Sequence, residues 1–158
     1  MIKQLGYRGY ISRLPVAGGR VPQSVQQLVI RDYCAGNNMH LLLSTTEYAV
    51  PNCHIMLEQV FQEAVNNQGV VLYSLFQLPR NSKTRHRIYD IILENNIELH
   101  MALEGLVIKD NESVQRVEDI WLVDQTLRNG NYGFSHKHDS PEKVNSDTLP
   151  EFRTYGGN

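Results

Sequence analysis

Three apolar, strand-like runs are each followed by a segment with helical spacing that is long enough to cross back over a sheet. Leu5 to Ile11, rich in Tyr, Ile and Gly, reads as the first strand and stops at the hydroxyl of Ser12. Pro22 opens a helix with Val25, Leu28, Val29 and Tyr33 at helical spacing, and Gly36-Asn37-Asn38 ends it. Met39 to Leu43 is a continuous apolar run, as expected of a strand buried on both faces. After a polar segment from Ser44 to Cys53, a second helix carries Met56, Leu57, Val60, Phe61, Ala64 and Val65. Val70 to Leu75 is the third strand. Pro79-Arg80 leads to a third helix with Ile88, Ile91 and Ile92 inward, and Ile97 to Leu103 is the fourth strand. Such alternation predicts right-handed crossovers, and with them a three-layer α/β fold: a mainly parallel four-stranded sheet with flanking helices.

Residues 1–128 are expected to form a single α/β domain. Its last helix, Asn111 to Arg128, has Val114, Val117, Ile120, Trp121 and Leu127 on one face. Two readings of that stripe stand: packing on the sheet, or a homodimer through Val114, Val117, Trp121 and Leu127. Residues 129–158 are polar, with few apolar anchors, and predict a mobile tail.

A formal net charge of −2 produces no global field toward nucleic acid or anionic lipid. Apolar runs fall short of the ~20 residues of a membrane span. Met1-Ile2-Lys3-Gln4 leads straight into the first strand, without a signal-peptide core. With only Cys34 and Cys53, no disulfide framework is expected, and the reading is a cytoplasmic protein.

Loops at the C-terminal ends of parallel strands meet in space, which predicts one polar site. The first loop brings Ser12, Arg13 and Arg20; the second brings Ser44, Glu47 and His54; the third brings Ser74, Gln77 and Arg80, and the fourth adds Glu104. Hydroxyls, cations and helix N-termini together suit a phosphate or carboxylate. Ser12 and Arg80 are the expected catalytic pair and the others the ligand-binding set. Within the basic run Arg80, Lys83, Arg85, His86, Arg87, Arg80 is preferred because it lies in the loop, and the rest reads as a solvated helix face. No metal site is expected, because neither His54 beside Cys53 nor His136 and His138 have ligand spacing. Without a Gly-rich dinucleotide fingerprint or a P-loop, no cofactor is expected.

Two family resemblances follow from these residues. Ser12 at the end of the first strand, Arg31 to Asn37, and Leu75-Phe76-Gln77-Leu78-Pro79-Arg80 resemble the catalytic domain of serine recombinases of the resolvase type, over roughly residues 5–108. That resemblance implies a resolvase-like fold, with Ser12 as nucleophile and Arg80 beside it. The pattern has arginine where this chain has Tyr10, Asp-Arg where it has Phe76-Gln77, and Arg-Pro where it has Val50-Pro51. These departures, and the short segment after Arg128, argue against a nucleic-acid partner.

The second resemblance is to the sporadic carbohydrate cluster proteins of surface-polysaccharide gene clusters. It rests on Gly6 to Ser12, Val21 to Asn37, Thr46 to Ala49, Val71 to Leu75 and Ala102 to Ile108. It implies a role in O-antigen or capsule biosynthesis, and a small anionic ligand such as a sugar phosphate or nucleotide-sugar. The alternatives are a non-catalytic dimeric regulatory protein and a degenerate recombinase-like DNA strand transferase.

Overall fold

The computed structural model describes residues 5–48, 50 and 54–130. Chain order is β1 (Tyr7–Ser12), α1 (Gln23–Gly36), β2 (Leu41–Glu47), α2 (Ile55–Ala64), β3 (Gly69–Leu72), a 3₁₀ turn (Leu75–Gln77), α3 (Ser82–Asn95), β4 (Glu98–Met101), β5 (Leu106–Ile108) and α4 (Asn111–Asn129). The strands form one sheet in the order β2-β1-β3-β4-β5. All neighbours are parallel except β4 and β5, which run antiparallel.

The mainly parallel sheet with flanking helices is therefore present, but it has five strands rather than four. The run from Ile97 to Leu103 does not continue as one strand: the chain turns after Met101, Gly105 takes the left-handed conformation at φ 64°, and β5 returns beside β4. The second strand also differs from its expectation. It begins at Leu41, extends through Glu47 and lies at the sheet edge, with Leu43 fully outward. Ser44, Thr45 and Thr46 are thus paired with β1 instead of forming a loop. Apolar residues in the run look doubly buried, yet an edge strand has only one covered side.

Side-chain alternation divides the interior into two layers. Tyr10, Val70, Leu72, Leu99 and Met101 face α2, α3 and α4, where they meet Leu57, Phe61, Ile88, Ile92, Val117 and Trp121. Tyr7, Val71 and Tyr73 face α1 and meet Ile30 and Cys34. The inward stripe of α1 is shifted by one residue from the expected one. Gln26, Ile30 and Cys34 are buried, whereas Val25 and Leu28 are exposed. Beneath α1 a polar chain runs from Tyr33 to His100 Nδ1 (3.0 Å), from His100 Nε2 to Glu98 (3.0 Å) and from the Tyr7 hydroxyl to Glu98 (2.7 Å). A neutral His100 protonated on Nε2 satisfies both of its bonds, and burial holds the imidazole below its ordinary pKa.

Val117 and Trp121 of α4 are buried within the fold, so, of the two readings of that stripe, packing on the core holds, and these two residues offer no dimer surface. Val114 packs on the same core. Leu127 is exposed, beside Leu122 and Val123. Asn129 closes α4, and the expected tail lies, from residue 131 onward, outside the described residues. Among the described residues no helix is long and apolar enough to cross a membrane.

Candidate functional site

Strand order fixes where a site can form. From β1 the chain moves to β2 over one face by way of α1, and from β3 it moves to β4 over the other face by way of α3. The connections leaving β1 and β3 therefore diverge, and a crevice opens between adjacent strand ends, where open α/β sheets bind ligands. A cleft of about 840 Å³ occupies that crevice. Ser12, Arg13 and Arg20 reach it from the first loop, His54 and Glu58 from α2, and Phe76, Gln77, Pro79, Arg80 and Thr84 from the third connection.

Ser12 forms the floor and is 2% exposed. Its Oγ accepts a hydrogen bond from Leu14 N–H at 3.0 Å, and its own hydrogen has no protein acceptor among the described residues. Buried Gln26 fixes the backbone of Ser12 from both sides. The Gln26 Oε1 accepts from Ser12 N–H at 3.0 Å, and its Nε2 donates to the Ser12 carbonyl at 2.7 Å and the Val21 carbonyl at 2.8 Å. Gln77 Nε2 donates to the same Gln26 oxygen at 3.0 Å, while Gln77 Oε1 accepts from Tyr73 N–H at 2.7 Å and Ser74 N–H. Two amides thus tie the end of β1 to the end of β3.

Arg13, Arg20 and Arg80 are exposed, and among the described residues none of them is paired with a carboxylate. Arg20 follows a tight hairpin closed by Val16 and Gly19, in which Gly18 adopts φ 88°, a conformation that an L side chain rarely takes. Glu58 is the cleft's only lining carboxylate among the described residues, so cations predominate. Among the described residues, His54 Nδ1 is buried without a hydrogen-bond partner. Burial pushes that imidazole below its ordinary pKa, against the opposing pull of Glu47 and Glu58.

Six of the expected site residues share this cleft: Ser12, Arg13, Arg20, His54, Gln77 and Arg80. Four do not. Glu47 is wholly buried and caps α2, accepting from Met56 N–H at 3.1 Å and Leu57 N–H at 3.2 Å. Ser74 is also wholly buried, and it donates to Glu104 at 2.6 Å while Glu104 accepts from Leu75 N–H. Both carboxylates satisfy helix or turn N-termini that a ligand would otherwise use. Ser44 lines a separate groove between α1 and β2 with Gln27, Arg31 and Cys34. Asn81 caps α3 through Thr84 N–H, so the cleft presents side-chain guanidiniums more than free helix ends.

Two residues were missed by sequence reasoning. Gln26 lies four residues before Ile30 and eight before Cys34, an inward spacing that a polar side chain concealed. Arg85, read as solvated, is 2% exposed and bound to Glu118 through both carboxylate oxygens at 2.7 and 2.8 Å.

No family model matches the sequence, and no curated protein matches it. Solved structures do match the fold. One is the N-terminal catalytic domain of TP901-1 integrase, at TM-score 0.56 and 13% identity, covering 77% of this chain and 96% of that one. Another is a resolvase family site-specific recombinase from Streptococcus pneumoniae, at TM-score 0.55 and 10% identity, covering 77% and 90%. The expected carbohydrate and O-antigen context is overturned by this likeness, which runs to recombinase domains and not to polysaccharide proteins. The resolvase-like resemblance holds at the level of architecture: the chain has the α/β fold of serine recombinase catalytic domains.

Proposed function

We propose that the cleft binds the phosphodiester backbone of a nucleic acid, with Ser12 as the nucleophile of a strand-transfer step. One observation carries this reading: Ser12 lies at the β1/β3 crevice of a recombinase-like fold, in a cleft shared with three arginines that no carboxylate neutralises among the described residues. The expectation against nucleic acid rested on the net charge of the whole chain, on the departures from the recombinase pattern and on the short segment after Arg128, whereas a phosphate responds to the local excess of charge. Where the recombinase pattern has arginines, this chain has the core residue Tyr10, the amide bridge Gln77 and the exposed Val50. In this reading their cationic role passes to Arg13 and Arg20, which line the cleft beside Arg80.

In the displacement, a bond forms between Ser12 Oγ and phosphorus as the bond from phosphorus to the leaving nucleoside oxygen breaks. The Ser12 proton, which has no protein acceptor among the described residues, leaves to solvent in the open cleft, and the leaving oxygen takes a proton from solvent. The arginines stabilise the charge that builds on the phosphoryl oxygens. Three phosphate contacts predict a slope of log affinity against log salt of about −2.7. Titrating a labelled duplex at low salt tests the binding, and a denaturing gel tests for a protein–oligonucleotide adduct lost in Ser12→Ala. Failure of the wild-type chain to bind duplex at low salt overturns the reading.

A further inference from the structure

We infer that Arg85 is a positioning residue: it suspends the Pro79–Arg80 turn from α4, and so sets where the Arg80 guanidinium stands in the cleft. The inference rests on the phosphodiester reading of that cleft. Arg85 Nη1 donates to the Pro79 carbonyl at 3.0 Å and to the Arg80 carbonyl at 2.7 Å. Its Nε and Nη2 grip Glu118 of α4, and its Cζ lies 4.5 Å over the Trp121 ring. The Tyr89 hydroxyl donates to the same Glu118 at 2.8 Å, leaving the carboxylate no freedom to turn.

A buried ion pair is a poor stabilising device, because desolvating two charges cancels much of their attraction. Two apolar side chains of similar volume would hold α3 to α4 as well. They would not supply donors to two consecutive carbonyls in a stretch that lies outside any helix or strand. The planar guanidinium does so because its nitrogens project in fixed directions, Nε and Nη2 toward a carboxylate and Nη1 toward the two carbonyls of the turn. A second lining residue of the same connection rests on the same turn of α4, since Phe76 meets Trp121 edge to face at 5.3 Å. α4 is therefore the foundation of the cleft's third loop, though α4 itself does not line the cleft.

The test is a double-mutant cycle on duplex affinity, measured across a salt series. Arg80→Ala is expected to cost about tenfold in affinity and to flatten the salt slope by about 0.9, one phosphate contact. Arg85→Met combined with Glu118→Leu keeps the packing but removes the carbonyl donors. This pair is expected to reproduce both effects, and adding Arg80→Ala is expected to cost nothing further. Wild-type affinity and slope in the folded Met/Leu variant would overturn the inference, and so would losses that multiply with Arg80→Ala. If that variant does not fold, Arg85→Lys retains the charge without the fork, and the same cycle is run on it with the same two outcomes. Failure of the wild-type chain to bind duplex removes the phosphodiester reading and this inference together, whereas binding with an unaffected slope in the variants removes the inference alone.

Discussion

Gln26→Leu should be among the most damaging single changes in α1, although it replaces a polar residue with an apolar one of similar size in a buried position. The Gln26 side chain makes four hydrogen bonds: with Ser12 N–H, the Ser12 carbonyl, the Val21 carbonyl and Gln77. At a net worth of about 1 kcal/mol each, their loss comes to about 4 kcal/mol. That is a large share of the roughly 5–15 kcal/mol that holds a domain together. With a urea m-value of about 2 kcal/mol/M, the unfolding midpoint should fall by about 2 M. Because Gln26 and Gln77 share a bond, Gln26→Leu and Gln77→Leu combined should cost about 1 kcal/mol less than their sum. Equilibrium urea unfolding followed by far-UV circular dichroism measures both quantities. A midpoint shift below about 0.5 M for Gln26→Leu would show that the amides do not bind β1 to β3, and the account of how Ser12 is held would be wrong.

Glu47→Ala should lower stability by about 2 kcal/mol, as expected when a cap and its buried acceptor are lost, with faster amide exchange at Met56 and Leu57. It should leave the salt slope of duplex binding unchanged, because Glu47 does not line the cleft. Burial alone would raise the Glu118 pKa, but hydrogen bonds from Arg85 and Tyr89 hold it below the ordinary carboxylate range. A depressed folded pKa gives stability that is full above the unfolded value of about 4.3 and is lost as pH falls through the folded one. Acid unfolding should therefore lose part of its pH slope in Glu118→Gln. His100 is held below its ordinary value by burial, so its share of stability is full above about pH 6.5 and declines as pH falls toward the folded value. Melting temperature should drop between about pH 7 and pH 5, and His100→Gln should flatten that drop.

Much of the architecture was legible because alternating strands and crossover-length helices admit few solutions. The parallel core and the helix stop at Gly36-Asn37-Asn38 follow from patterns of spacing. What was illegible depended on position in the sheet. Nothing in the run Met39 to Leu43 says that its strand will be an edge, and only the pairing order exposes Leu43. The antiparallel return after Gly105 was hidden because the run from Ile97 to Leu103 stayed apolar through a turn. In the site, Ser12, Arg13, Arg20 and Arg80 were found by the rule that strand-end loops converge. Glu47 and Ser74 obeyed the same rule but were drawn inward to satisfy helix and turn N-termini. Arg85 escaped because a cation at a helix start reads as solvated until the opposing carboxylate, 33 residues away, is in view.

Trp121 is the only tryptophan in the chain, and it lies beneath Arg85 and against Phe76. Its emission therefore samples one small region behind the cleft's third loop. A fluorescence change during unfolding or on adding an oligonucleotide would date the release of α4 from that loop, and need not coincide with the melting of α1 on the far side of the sheet. Agreement between this optical signal and circular dichroism would mean that the two halves come apart together.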